Sequence, residues 1–159
     1  MVQTKEAMRV NWTRDKSLLF SLVCVWFFAA GLLALDVGVY WFAQRFFVAL
    51  RGRPWQYAAF ATASVYVCSV PAWLTLWSLR QLLRNLRLGV VFTEENVRLL
   101  RRVSWCCAIA AAVTALNALY YLPFLFLAVA EGFMALIVRI VKNAFQEAAA
   151  MRSELDLTI

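Results

Sequence analysis

The chain has 159 residues, of which 64% are hydrophobic and 15% are aromatic, and its mean hydropathy is +0.71. These values exclude an ordinary soluble domain, and the length leaves room for one integral membrane domain over residues 1–159. The formal net charge of +7 does not indicate direct nucleic-acid binding, because the basic residues stand beside apolar segments, as they do on the cytoplasmic side of membrane proteins.

Four apolar segments predict four transmembrane helices, because about twenty apolar residues cross the hydrocarbon core of a bilayer. The spans are predicted at about 17–42, 55–79, 103–122 and 124–141. Tight connections such as the one at Pro123 make neighbouring spans antiparallel. The predicted fold class is therefore an all-α membrane protein with four antiparallel transmembrane helices.

A polar stretch, Arg80–Arg102, separates spans two and three. Its leucines and arginines alternate at helical spacing, which predicts an amphipathic continuation of span two. Gly89 is predicted to end that helix and Thr93 to cap the next one. The stretch is therefore a cytoplasmic helical hairpin extension, and residues after about 141 are predicted to form a C-terminal amphipathic helix.

The distribution of lysine and arginine predicts the topology. Thirteen of the sixteen basic residues lie at the N-terminus, in the central stretch and from Arg139 at the end of span four onward, and three lie between spans one and two. By the positive-inside rule, both termini and the central hairpin are cytoplasmic.

Only two acidic residues lie within the spans, Asp36 and Glu131. Both are predicted in the outer half of the membrane at similar depth, close to the levels of Asn117 and Tyr66. Since a carboxyl group in the bilayer is costly, these residues are predicted to form one intramembrane polar site that holds a proton or a cation. The alternative is that each acid is a hydrogen-bonded tie between helices.

The charged residues of the central hairpin form a second candidate site. They would bind anionic lipid headgroups or dock a cytoplasmic protein, and we expect Glu94 and Glu95 to meet Arg84 or Arg87. The full set comprises Arg80, Arg84, Arg87, Glu94, Glu95, Arg98, Arg101 and Arg102.

No pattern indicates an enzyme, a cofactor or a metal centre. The chain has no histidine, and its four cysteines all lie in apolar segments without a zinc-ligand spacing. Small residues at Ala30, Ala34 and Gly38 recur along one face of span one, opposite Asp36. This face predicts a close helix contact, and a homo-oligomer is one way to supply it.

Three motifs resemble one family. They lie at 89–102 (GVVFTEENVRLLRR), at 141–145 (VKNAF) and at the C-terminus, 154–159 (ELDLTI). They resemble the "domain of unknown function twenty-nine seventy-five" family of small bacterial four-span membrane proteins. The resemblance implies a bacterial inner (plasma) membrane location. It also implies a partner, because many family members are encoded beside a small helix-turn-helix regulator.

Together these observations favour a membrane sensor or signalling partner that binds a cytoplasmic helix-turn-helix transcription regulator. The alternative is a small oligomeric transporter or channel that uses Asp36 and Glu131, by analogy with small multidrug transporters, which also have four short spans and an acid in the first. A purely structural membrane protein is the third hypothesis.

Overall fold

The computed structural model describes residues 2–46 and 54–157, with the side chains of residues 16–46, 54–151 and 154. Four α-helices and no strand form this part of the chain: α1 (Val2–Ala43), α2 (Trp55–Arg87), α3 (Glu94–Asn117) and α4 (Phe124–Leu157). Each helix contains a segment long and apolar enough to cross a membrane: Lys16–Phe46, Trp55–Arg87, Glu94–Asn117 and Phe124–Met151. The predicted all-α fold with four spans is confirmed, and the chain is a multi-pass membrane protein.

The helices are longer than the predicted spans because polar residues extend them. Helix α1 already begins at Val2, α2 continues to Arg87, and α3 begins at Glu94. The amphipathic segment predicted after residue 141 is continuous with α4. One boundary was predicted wrongly: α3 ends at Asn117 rather than near residue 122, since residues 118–123 form the turn into α4.

The helices pack in chain order, α1 on α2, α2 on α3 and α3 on α4. Over the described residues, the backbone of α1 approaches neither α3 nor α4, and that of α2 does not approach α4. Helix α2 meets α1 and α3 on different faces. Toward α1, the Arg80 guanidinium lies 5.4 Å from the Trp26 ring centre, and Ser69 bonds to Asp36. Toward α3, Gln81 bonds to Glu95.

Small side chains bring α3 and α4 together. Cys106 of α3 and Ala128 and Ala135 of α4 are buried, and the Ser104 hydroxyl donates to the Ala135 carbonyl at 3.1 Å. Short side chains let two backbones approach closely in a membrane, where dispersion contacts and interhelical hydrogen bonds replace the hydrophobic effect. The buried alanines of this interface belong to α4, whereas Ala108, Ala112 and Ala115 of α3 are exposed.

Aromatic rings cluster at one end of the helices, which we call the aromatic end. Tyr120 stacks on Phe60 with ring centres 5.2 Å apart and meets Tyr57 edge-on. Tyr121 contacts Phe46, which follows α1, and Phe124 at the start of α4. Such rings are typical of the membrane–water interface.

The opposite end, which we call the basic end, carries the arginines of the central stretch. Twenty residues separate Trp26, at the level of Arg80, from Phe46 at the aromatic end. At about 1.5 Å per residue this is about 30 Å, the thickness of a bilayer's hydrocarbon core. The level of Trp26 and Arg80 therefore marks one boundary of that core.

Candidate functional site

Asp36 is held by hydrogen-bond donors from α2. Its carboxylate accepts from the Ser69 hydroxyl and, at 3.1 Å, from the Trp73 indole N–H. The Tyr66 hydroxyl donates to the Asp36 backbone carbonyl at 3.0 Å. These donors stand one turn apart along a single face of α2, so Asp36 fixes the rotation of α1 against α2.

Glu131 lies on α4 in a less polar setting. Its Oε2 atom is buried and has no hydrogen-bond partner. Its charge is close enough to influence the thiols of Cys68 on α2 and Cys107 on α3. The cysteines are free thiols, and no group of three potential ligands within the described ranges could hold a metal ion.

Asn117 contributes to a third contact. Its Oδ1 accepts from the Ser64 hydroxyl at 2.8 Å, and its Nδ2 donates to the Val113 carbonyl at 2.9 Å. These bonds join the end of α3 to α2 near the aromatic end. Asn117 is thus a helix tie that makes no hydrogen bond with either acid.

The matched depth of the two acids stays a prediction. Asp36 bonds to Ser69 of α2, and Glu131 has an electrostatic influence on the preceding α2 residue, Cys68. No hydrogen bond of the described residues joins the two carboxyl groups. The one shared site for Asp36, Glu131, Asn117 and Tyr66 therefore stays a prediction, and the contacts favour separate places on different sides of α2.

At the basic end, α2 stops in a Schellman motif. The Val90 N–H donates to the Asn85 carbonyl at 3.0 Å, and the Gly89 N–H donates to the Leu86 carbonyl at 3.1 Å. Gly89 has a φ of 77°, a left-handed conformation that glycine adopts without strain. Its predicted role as the helix stop is confirmed.

Asn96 holds the turn between α2 and α3. Its side chain is fully buried and accepts a hydrogen bond from Asn85 at 2.7 Å. Its own amide donates to the carbonyls of Val90 and Val91 at 2.9 and 2.7 Å. One side chain therefore satisfies backbone groups that the turn leaves free. The sequence signal is an asparagine shortly after a Gly-Val-Val turn, and its role was not predicted.

The start of α3 corrects two details. Thr93 occupies the N-cap position with extended backbone angles, as predicted, but its hydroxyl makes no capping bond. The expected contact of Glu94 or Glu95 with Arg84 or Arg87 is wrong, since Glu95 instead accepts from Gln81 at 2.7 Å. Gln81 and Glu95 face each other across the α2–α3 interface, whereas the arginines of α2 lie on another face.

The helix repeat divides the predicted basic surface into two stripes. At about 100° per residue, the α2 stripe (Arg80, Arg84, Arg87) continues the face that carries Ser69 and Trp73 toward α1. The α3 stripe (Glu94, Arg98, Arg101, with Arg102 at its edge) lies opposite the buried face of α3. All these side chains are exposed. They share one end of the molecule but form two surfaces.

Apolar side chains lie exposed beside the α3 stripe at the tip of the molecule. Leu88 is 69% exposed, and Val90 and Phe92 are also exposed. The Phe92 ring contacts Phe145 of α4, with ring centres 5.4 Å apart. The tip therefore combines a fixed backbone, an apolar patch and positive charge.

Comparison with known proteins gives the family and no activity. No curated protein and no solved structure matches the chain. A family model described as "Protein of unknown function (DUF2975)" matches residues 17–159. The match includes all four apolar helices and the motifs at the tip and the C-terminus. The chain therefore belongs to that family.

Proposed function

We propose that the protein is a membrane-embedded signalling partner whose basic end binds a cytoplasmic helix-turn-helix regulator. The binding surface comprises the α3 stripe and the exposed apolar tip at Leu88, Val90 and Phe92. The observation that carries the proposal is this apolar patch, which lies beyond the membrane boundary on a turn fixed by Asn96. Apolar patches rimmed by charge are typical of protein interaction sites.

The length of α4 adds to the available surface. Eighteen residues separate Arg139 from Leu157, which is about 27 Å of helix. Phe145 packs this extension against Phe92. A partner would therefore meet a rigid platform of three helix ends.

The proposal places the basic end in the cytoplasm of a bacterial inner membrane. Its support is the charge count, with thirteen of sixteen basic residues on that side. Both termini lie in the same compartment under this proposal. The family motifs also lie at the basic end and in the C-terminal segment, where a cytoplasmic regulator has access.

Purification from native membranes in mild detergent tests the proposal. We expect a helix-turn-helix regulator to co-purify with the wild-type protein and to be lost with R98E/R101E, which reverses the charge of the α3 stripe. The matched control is R84E/R87E, with the same charge change on the α2 stripe. Co-purification that is lost equally in both variants, or never seen, would contradict the proposed surface.

A second candidate function is proton or cation transport, favoured by the buried Glu131 Oε2 atom without a partner. An acid within a span is a functional candidate because its insertion is costly. Reconstituted liposomes with a pH-sensitive dye test it. Glu131→Gln should abolish proton flux, while Asn143→Ala, an exposed change outside the core, should leave it intact; absence of flux in the wild type removes this candidate.

A further inference from the structure

The first helix is apolar for longer than a bilayer requires. The apolar segment Lys16–Phe46 has 31 residues, or about 46 Å of helix, against a hydrocarbon core of about 30 Å. If Trp26 and Phe46 mark the boundaries, more than two turns, residues 17–25, extend past the core at the basic end. In this segment Leu19 is 52% exposed and Phe20 and Val23 are also exposed.

The α2 stripe runs beside this apolar segment. Trp26 pairs with Arg80 and Asp36 pairs with Ser69, so the two helices run in opposite directions. Continuing this pairing residue by residue places Arg84 beside Leu22 and Arg87 beside Leu19. Leu19, Leu22 and Trp26 share one side of α1, since they lie within about 60° on a helical wheel.

Among the side chains that the structure describes, none of the acidic ones on α1 or α2 pairs with these two arginines. Arg84 and Arg87 are exposed, and α1 carries no acidic residue between Lys16 and Val25. On α3, the Glu95 carboxylate already accepts a hydrogen bond from Gln81. Two guanidinium groups therefore stand next to an apolar wall, at the level where headgroups begin.

We propose that this groove between α1 and α2 binds an acidic phospholipid. The phosphate accepts hydrogen bonds from Arg84 and Arg87, because a guanidinium pairs well with phosphate oxygens. The phosphate then lies at the level of Leu19 and Leu22, and the acyl chains run toward the hydrocarbon core along Leu22 and Trp26. The lipid thereby covers the excess apolar length of α1, which is otherwise accommodated only by tilt or bilayer deformation.

A lipid fits this groove better than other occupants. The α1 wall offers few hydrogen-bonding groups to a peptide, since Leu19 and Leu22 have apolar side chains and the Ser21 hydroxyl already donates to the Ser17 carbonyl at 3.0 Å. A second copy of the chain related by two-fold symmetry would bring the same arginines together, and like charges repel. An acidic amphiphile satisfies both the charge and the apolar wall.

Native mass spectrometry of the delipidated protein tests the proposal with phosphatidylglycerol and phosphatidylcholine of identical acyl chains. We expect phosphatidylglycerol to bind about tenfold more tightly, and R84Q/R87Q to lower its affinity about tenfold or more, in line with the attraction between basic residues and anionic lipid. R98Q/R101Q removes the same charge from the α3 stripe and should change the affinity by less than about twofold.

A second pair of variants tests the acyl wall. Leu22→Ser should weaken phosphatidylglycerol binding severalfold, while Leu116→Ser, at an exposed leucine near the aromatic end, should not. Equal losses in the two arginine variants, equal affinity for the two lipids, or displacement of the lipid by glycerol phosphate at similar concentration would each overturn the proposal. The α3 stripe is unchanged in R84Q/R87Q, so this variant should still bind the regulator. Loss of lipid binding can therefore be distinguished from loss of regulator binding.

Discussion

Asn96 is the residue on which the tip depends most. Asn96→Ala removes three hydrogen bonds and leaves the carbonyls of Val90 and Val91 without their donor. Each bond contributes about 1 kcal/mol, and unsatisfied buried groups add to the loss. We expect the free energy of unfolding, measured by denaturation in mixed micelles, to fall by about 2–4 kcal/mol.

Asn143→Ala is the matched control for that change. Asn143 is exposed on α4, and the same substitution there should alter stability by less than about 0.5 kcal/mol. A similar loss for both variants would mean that the buried network does not hold the turn.

A second prediction for individual residues concerns the two intramembrane acids. On a helical wheel of α2, Cys68, on which Glu131 acts electrostatically, lies about 100° or more from Ser69 and Trp73, which donate to Asp36. Separate sites contribute additively, within about 0.5 kcal/mol, whereas groups in contact couple by more. We therefore expect the unfolding free energies of Asp36→Asn, Glu131→Gln and the double variant to add. A coupling energy well above about 0.5 kcal/mol would instead indicate that the two acids share one site.

At the scale of the element, the α2 helix stop depends on the backbone of Gly89. Its φ of 77° is strained for any residue with a Cβ, so Gly89→Ala should cost about 1 kcal/mol of unfolding free energy. Gly132 lies within α4, where an added Cβ meets no atom within 4 Å. Gly132→Ala should therefore be neutral or stabilising by up to about 1 kcal/mol. Thermal unfolding of both variants in one detergent measures the contrast.

The elements themselves could be predicted because their signals are local. The length of the apolar segments predicted the four spans, and Gly89 and Thr93 predicted the break between α2 and α3. The partners of the side chains could not be predicted, since they depend on which faces meet. Glu95 pairs with Gln81 rather than an arginine, and Asn96 reaches back across the turn, because the α2–α3 crossing sets those distances.

For the whole molecule, topology is the most direct prediction. The excess of basic residues predicts that the Arg80–Arg102 end is cytoplasmic. In a cysteine-free background, Arg53→Cys should react with an impermeant maleimide in intact cells, and Arg87→Cys only after permeabilisation. Arg53 lies outside the described residues, and the prediction rests on its position in the sequence. The reverse labelling pattern would contradict both the topology and the proposed regulator surface.

The open row of helices leads to the last prediction, which concerns assembly. Over the described residues, α2 is the one helix whose backbone approaches that of α1, and it meets the side that carries Asp36. Ala30 and Ala34 are exposed on another side, and a Cβ added at Gly38 would meet no atom within 4 Å. Since small residues let helices associate in membranes, we expect two copies to pair through this face of α1.

Cysteine crosslinking in lipid nanodiscs or native membranes measures this pairing. In a cysteine-free background, Ala34→Cys should form a disulfide-linked dimer on mild oxidation, because the two α1 helices would bring the thiols together. Ala130→Cys, at an exposed small residue of α4, should remain monomeric. Adding Gly38→Leu to the Ala34→Cys chain should reduce the dimer severalfold, since a large side chain separates the helices. A monomeric mass in lipid, together with equal crosslinking at the two positions, would show that lipid covers this face instead.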